Sequence, residues 1–558
     1  MSPRRSAEAV VLGVGLAVGL GLLGFGVWRI ADGTDVSTVA PVSSSAATPS
    51  APVRAGALVW TDPAAPTDAP GGEAVAGAVC PGCDIVLITV CSLRQDHVGA
   101  YGVHPGLTPR IDALAAGGAR FTRAYAASNF TLAGLSAILT GRFGSTTGVT
   151  GWDKGLVADV PTLPEALGHY GYTTAAFTID APSGFRPDYG LNRGFSRMEI
   201  IPAPRDTPDG RMTSGPIGDG GASALPVRTW LAAQPADAPV FAMFHTRTAH
   251  FPFVLAPPEP GTDPTGVLQG LWDAGNVGSA KAPQAMPGAA GGTAQRGVVA
   301  LAGPDPLQVL MDAAGSAGDA AWRQAYADAV ARMDLDVGVV LDAVAARGRP
   351  TIVALVADHG ESLNDHGELL HGDAYWDSVV RVPLLLSVPG APPTVEDALV
   401  SHVDLAPTLL ELVGAVPPAG IDGTSLVPLL AGRADAVRGT TLVEGGVAWR
   451  DSTVPRGAVI APPWAMLRQD RGCDTRGLAR APGQPATCLY DLDADVPQAA
   501  NLAGAHPDVI VDLLARWDGF RAARAGEATQ LVLDPAYVEA LHRTGYDFRV
   551  GGTGAASE

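Results

Sequence analysis

The residues best suited to chemistry lie in one stretch, Thr351 to His371, which reads TIVALVADHGESLNDHGELLH. An uncharged apolar run, Thr351 to Ala357, stops at Asp358-His359-Gly360, and Glu361, Asp365, His366, Glu368 and His371 follow. Carboxylates and imidazoles are the side chains that ligate cations and carry protons near neutral pH. A solvated acidic turn is the plain alternative. Against it stands the Asp-His pair placed directly after an apolar strand, with a glycine beside it that permits close approach. A second polar group, Cys91-Ser92-Leu93-Arg94-Gln95-Asp96-His97, follows the apolar run Ile85 to Val90 in the same way. Within that group, Asp96 is read as a brace for Arg94 or for the loop. Thr131 opens a third stretch, TLAGLSAILT, with the periodicity of a helix and Ser128 or Asn129 near its cap. A threonine there meets free N–H groups and the positive end of the helix, which favour an anion.

The elements that must position these residues alternate. The runs at 85–90 and 351–357 are uninterrupted by charge and rich in β-branched residues, as strands buried on both faces are. Thr108-Pro109 starts a helix carrying Ile111, Leu114 and Ala115 at helical spacing. Strands are expected at 121–125, 173–178, 240–245 and 382–388, and helices at 163–168, 226–233, 320–344 and 402–413. Strand and helix in turn over so long a span predict an α/β fold with a large, mostly parallel sheet between helices. Open sheets of that kind place chemistry outside the carboxyl ends of their strands. After about Arg433 the candidates become shorter strands and one late helix, 507–523, predicting a smaller C-terminal α+β subdomain. A Gly/Ala/Pro-rich excursion is expected from 257 to 318.

The 558 residues carry a net charge of −19, which argues against nucleic acid and against a basic membrane-binding surface. Arg4 and Arg5 precede Ala9 to Trp28, an uncharged run of 20 residues, long enough to cross a bilayer. Two arginines before it favour a cytoplasmic N-terminus and an exported remainder, with a cleaved signal peptide as the competing reading. The stretch from Arg29 to about Ala78 is Ser, Ala, Pro, Thr and Gly with little periodicity, a flexible tether. Five cysteines fit an exported protein: Cys80 and Cys83 as a local disulfide, Cys473 and Cys488 as another, with Cys91 left over.

The segments ITVCSLRQDHVGAYG, TPRIDALAAGGARFTRAYA, LSAILTGR, VFAMFHTRTAHFPF, ADHGESLNDHGELLHG, RVPLLLSVPG, SHVDLAPTLLELVG, GIDGTSLVPLLAG and LYDLDADVPQAANLAG occur in this order. Together they resemble a sulfatase of the alkaline-phosphatase superfamily over residues 84 to 520. The resemblance implies a divalent cation, calcium in most sulfatases, held on carboxylates at strand ends, and a nucleophile that attacks sulfur or phosphorus in line. It implies that Asp358 and His359 are a metal-ligand pair, that His250 lies near the leaving group, and that His371 contacts the anion. The implied substrates are sulfated or phosphorylated small molecules, glycans or lipid headgroups. With the residue-based reading of the N-terminus, the expected division is a cytoplasmic N-terminus at 1–8, a transmembrane anchor at 9–28, a linker at 29–79, a sulfatase-like catalytic domain at 80–432 and a C-terminal subdomain and tail at 433–558. The catalytic domain is then expected outside the cytoplasm.

Two departures qualify the resemblance. Formylglycine sulfatases carry C-x-P-x-R or S-x-P-x-R; here the register gives Thr131-Leu132-Ala133-Gly134-Leu135, with no residue to convert. Superfamily relatives such as phosphoglycerol transferases and phosphonate-ester hydrolases use an unmodified threonine, which makes Thr131 a candidate nucleophile. The strand after ITV normally ends in a metal-binding Asp, but here Cys91 and Ser92 stand there. A thiolate suits zinc better than calcium. Three readings stay open: zinc on Cys91, Asp358 and His359; a hard cation weakly held; or a catalytically silent domain that binds an anionic ligand.

Overall fold

The computed structural model describes residues 58–60, 79–179, 185–201, 221–251, 253, 261, 263–270, 306–372, 374–445, 455–469, 473, 486–524, 526 and 529–531. The chain divides between Arg54 and Ala55, and the described residues all belong to the second unit. The expected anchor at 9–28, nearly all of the tether, and most of the 257–318 excursion lie outside the described residues. Among the described residues no helix is long and apolar enough to cross a membrane.

Among the described residues, nine strands form the central sheet: β1 Leu58–Trp60, β2 Asp84–Val90, β3 Ala119–Tyr125, β4 Thr173–Ile179, β5 Arg197–Ile201, β6 Val240–Thr246, β7 Thr351–Ala357, β8 Leu384–Ser387 and β9 Thr394–Ser401. Their spatial order is β1-β5-β4-β6-β2-β7-β8-β3-β9. The run from β5 to β7 is parallel throughout. Strand β8 runs antiparallel to both of its neighbours, and β1 antiparallel to β5. Ile85, Val86, Leu87, Ile88 and Val90 in β2, and Ile352, Ala354, Leu355 and Val356 in β7, are buried. Each such side chain contributes roughly 1.5–3 kcal/mol through removal from water. The charge-free runs therefore sit where the sheet is covered on both faces.

Helices flank the sheet: α1 Pro109–Ala116, α2 Thr131–Thr140, α3 Leu163–His169, α4 Leu225–Ala233, α5 Pro306–Arg347 and α6 Leu405–Val413. Every residue of α2 is buried. Helix α5 begins inside the expected excursion and is kinked at Gly315, whose φ of 57° lies in the left-handed region. It fastens α1: Asp334 Oδ2 and Oδ1 accept from Arg110 N at 3.0 Å and Ile111 N at 2.9 Å. Those two N–H groups have no partner within α1.

The smaller C-terminal piece is a four-stranded antiparallel sheet, β10 Thr441–Glu444, β11 Gly457–Ala461, β12 Trp464–Gln469 and β13 Ala486–Asp491, with α7 Pro507–Ala522. It shares buried clusters with the large sheet through Tyr125, Trp376 and Val403. Disulfides join Cys80 to Cys83 and Cys473 to Cys488, and Cys91 is a free thiol.

Local pattern misled at three places. Leu58–Trp60 falls inside the stretch read as tether, yet pairs with Arg197–Ile201. A Leu-Val-Trp triplet is β-prone, and an available sheet edge decides its state. Strands β5 and β9 carry Glu and Arg or Asp among their apolar residues, so they gave no clean signal. The N-cap of α2 is Phe130, in extended conformation and without a side-chain bond, in place of Ser128 or Asn129.

Candidate active site

The ends of β6, β2 and β7, adjacent in the sheet, deliver the central groups. Register fixes them: Thr89 lies opposite His245, while Val90 lies opposite both Thr246 and Ala357. The next backbone bonds, Cys91 N to Thr246 O at 2.8 Å and Asp358 N to Val90 O at 3.1 Å, hold the strands together up to the site. Ser92 then turns the chain with φ 61°, a left-handed conformation uncommon outside glycine. That turn aims the Ser92 N–H at Asp358 Oδ1, 3.2 Å away. Tyr326 of α5 secures it, donating to Ser92 O at 2.7 Å and accepting from Arg94 N at 2.9 Å.

Helix α2 brings Thr131 to the same point. Its close approach requires Gly134, because a Cβ there would lie 2.6 Å from the Asp358 carbonyl oxygen. Thr131 Oγ1 stands 3.2 Å from His359 Nε2 and 3.3 Å from Cys91 Sγ. His359 Nδ1 lies 2.7 Å from Gly360 O, a carbonyl that can only accept, so Nδ1 carries the proton. The Nε2 lone pair therefore faces the threonine hydroxyl. Burial holds the His359 imidazole down, at about 4, in spite of Asp358. It is a neutral acceptor near pH 7.

Cys91, His245 and Asp358 each offer a ligand-type atom, all within 4.8 Å of one another and all buried. His359 is not in that set. Its Nε2 is 3.9 Å from Cys91 Sγ and 3.6 Å from Asp358 Oδ1. Asp358 Oδ1 accepts from Ser92 N and, at 2.8 Å, from His359 N, while Oδ2 is buried with no hydrogen-bond partner. His245 Nδ1 lies 2.9 Å from Thr89 Oγ1, and its Nε2 is likewise buried with no hydrogen-bond partner. Burial opposes the charge on Asp358, but His359, His245 and the Ser92 N–H outweigh it and hold the carboxyl below its usual range. Burial, then the Asp358 charge, pushes the Cys91 thiol far up.

The expected anion-side residues also converge. The His371 ring is 4.1 Å from that of His359 and 5.0 Å from that of His250. His250 Nδ1 donates to Phe251 O at 2.7 Å, leaving Nε2 to accept from Arg247 Nη2 at 3.2 Å. His371 Nδ1 meets Glu361 Oε1 at 2.9 Å. Burial lowers His371 to about 3 and raises Glu361 to about 8, so near neutral pH this pair shares one proton instead of forming a full ion pair.

Thus Cys91, Thr131, His250, Asp358, His359 and His371 lie in one cluster. Sequence reading passed over His245 and Arg247. The signal for His245 was available, since it ends a buried parallel strand just as Cys91 and Asp358 follow theirs. Other residues of the polar stretches serve the scaffold. Arg94 donates to Asp96 through Nε at 2.9 Å and Nη2 at 2.6 Å, as the brace reading expected. Asp365 pairs with Arg94 and, at 3.0 Å, with Arg323. His366 stacks on Trp376, and Glu368 accepts from the Trp376 indole.

A large, mostly parallel sheet whose strand ends gather carboxylate, imidazoles and a helix-borne hydroxyl is the architecture of the alkaline-phosphatase class. A family model described as Sulfatase matches residues 84–415, and the chain belongs to that family. It is 25% identical over 445 residues to a Delta 4,5-hexuronate-2-O-sulfatase of Bacteroides thetaiotaomicron, covering 75% of this chain and 84% of the relative. It is 27% identical over 476 residues to human arylsulfatase A, covering 76% and 85%. Among solved structures, a 2-O GAG sulfatase superposes with a TM-score of 0.58 at 20% identity, covering 84% of this chain and 98% of the other. The phosphonate monoester hydrolase of Silicibacter pomeroyi gives 0.57 at 19% identity, covering 79% and 96%.

Proposed function

We propose that this chain hydrolyses sulfate or phosphate esters with Thr131 as its nucleophile and His359 as the base beside it. The observation that carries this is the Thr131 Oγ1 to His359 Nε2 distance of 3.2 Å, with the acceptor lone pair on the correct nitrogen. The Thr131 oxygen bonds to sulfur or phosphorus as its proton passes to His359 Nε2. The bond from sulfur or phosphorus to the leaving oxygen breaks in line, and that oxygen takes from His371 the proton that His371 shares with Glu361. His359 passes its proton on to the Glu361–His371 pair, whose imidazole lies beside it, then deprotonates the attacking water and returns that proton to the Thr131 oxygen as the anion leaves. Arg247, the cation beside His250, and the N–H groups at the start of α2 favour the transferred anion. Sulfated glycans and small molecules are the proposed substrate class, supported by the hexuronate sulfatase and arylsulfatase relatives.

The family's cation would add charge neutralisation at the ester oxygens. Calcium takes six to eight oxygen ligands, and the compact set here is one thiol, one imidazole and one carboxylate. These donors do not fit a calcium site, so no step above passes through that ion.

The test is turnover of an aryl sulfate, a phosphate monoester and a phosphodiester by purified full-length protein. Thr131→Ala is expected to lower kcat by about 10³-fold or more on the best of them, while Thr131→Ser keeps measurable activity. Full turnover in Thr131→Ala assigns the attack to another group. No turnover of any ester by the wild type favours an anion-binding protein without catalysis, a reading prompted by Cys91 and Thr131 standing where sulfatases carry other residues. We further propose that the run at 9–28 anchors the protein with its hydrolase unit outside the cytoplasm. Two disulfides support an oxidising compartment. Protease accessibility in intact cells checks the orientation.

A further inference from the structure

A buried polar atom without a hydrogen bond costs roughly 1–3 kcal/mol and is uncommon in native proteins. Two such atoms occur at the ends of the strands that flank β2: Asp358 Oδ2 and His245 Nε2, both on side chains with no solvent exposure. Each belongs to a group whose other polar atom is already fixed. Asp358 Oδ1 accepts two backbone N–H groups, and His245 Nδ1 is engaged by Thr89 directly across the ladder. Thr89 thus orients the imidazole as outer partners of metal-binding histidines do; its hydroxyl can accept from Nδ1, the tautomer that offers the Nε2 lone pair to an ion. Between them stands Cys91, the chain's single free thiol, also without exposure. Cys91, His245 and Asp358 each place one ligand-type atom within 4.8 Å of those of the other two. Tetrahedral zinc, with bonds of about 2.0–2.3 Å, sets its ligand atoms roughly 3.5 Å apart, so a small inward movement suffices.

We propose that the centre is a zinc-type site with Cys91 Sγ, His245 Nε2 and Asp358 Oδ2 as ligands and an open fourth position toward Thr131. A thiol, an imidazole and a single carboxylate are the donors of a borderline ion, whereas calcium is held by oxygens alone. Three protein ligands with one open position is the arrangement of catalytic zinc. Thr131 Oγ1, 3.3 Å from the sulfur, is the side chain beside that position. On binding, the Cys91 S–H bond breaks, its proton goes to solvent, and sulfur bonds to the ion, so one proton is released per ion bound. His359, next to Asp358 in sequence, is left out of the ligand set and free to accept from Thr131. The proposal deepens the hydrolase reading, since it names the ion of the same centre, but it is tested without turnover.

The full-length chain, purified in detergent without chelator, is analysed for metal and is expected to hold about one zinc and no stoichiometric calcium. Stripped protein titrated with cobalt(II) should develop a thiolate-to-cobalt charge-transfer absorption. Cys91→Ser should abolish that absorption, and His245→Ala should weaken cobalt binding about 10-fold or more. Should Cys91→Ser fail to fold, alkylation of Cys91 in the wild type replaces it: zinc should slow the reaction and calcium should not. Stoichiometric calcium without zinc, cobalt bound without the absorption, or alkylation indifferent to zinc each overturns the proposal. Zinc bound without turnover would remove the hydrolase reading and leave this one. Turnover supported by calcium alone would do the reverse.

Discussion

Two buried aspartates on adjacent strands, at opposite ends of the same sheet, are treated in opposite ways. Asp84 begins β2 and is saturated. Its Oδ2 accepts from Arg347 Nε at 2.6 Å, and its Oδ1 accepts from Arg349 Nε at 3.1 Å and from Val240 N at 3.0 Å. The two arginines in turn bind the carbonyls of Leu231, Gln234 and Ala236, tying the β6 entry to the end of α5. Asp358 follows β7 and is equally buried, yet no Lys or Arg pairs with it among the described residues and one oxygen has no hydrogen bond. A charge that is fully compensated holds the scaffold together. A carboxylate held ionised by imidazoles and backbone N–H groups, with one oxygen left without a hydrogen bond, keeps a lone pair for a ligand, as a candidate site requires.

The contrast can be broken by exchange at each end. Asp358→Asn is expected to lower turnover by about 10³-fold or more at a cost of only about 1–2 kcal/mol in denaturant unfolding, because the fold favours the ionised carboxyl but no guanidinium is stranded by its loss. Asp84→Asn should do the opposite. It strands two guanidinium groups, one on a buried side chain, and should cost about 3–5 kcal/mol in denaturant unfolding with kcat preserved in the folded fraction. Equal melting temperatures for the two variants would erase the distinction between the ends.

His402 sharpens the same point. It sits behind the site, accepting from Ala127 N on Nδ1 at 3.2 Å and donating from Nε2 to Ala357 O at 2.8 Å. Burial lowers its imidazole from 6.5 to about 4. The unfolded chain therefore binds more protons than the folded one between those values, and stability is lost as pH falls through that window. The loss contributed by this group should be on the order of 3 kcal/mol at pH 4. A flatter acid limb in His402→Gln, measured by urea unfolding at successive pH values, checks it. The smallest effect is expected at Gly134→Ala. The added Cβ meets the Asp358 carbonyl, so α2 must shift, with about 1–3 kcal/mol lost and a drop in kcat larger than that in Thr140→Ala at the far end of the helix. An unchanged kcat in Gly134→Ala would mean that the approach of Thr131 does not set the rate.

Much of this was legible in the chain. The runs at 85–90 and 351–357 became adjacent buried strands because uncharged β-branched stretches of that length have few other solutions in water. The polar residues that follow them met at one point because parallel strands deliver their carboxyl ends to the same edge. Both disulfide pairings and the Arg94–Asp96 brace were readable for the same reason: close spacing leaves little freedom. The strand at 58–60, the reversed direction of β8 and the Phe130 cap were not, since each depends on a partner distant in sequence.

Sequence alone determined the family, the α/β layering and six of the residues around the site. Only the tertiary structure decided how they are arranged. It set His245 beside Cys91 and Asp358, turned His359 toward Thr131, and separated the acidic residues after Asp358 into site and scaffold. Strand order and ring orientation are fixed by packing across the whole sheet, through contacts between residues more than a hundred positions apart, and local composition carries no record of them.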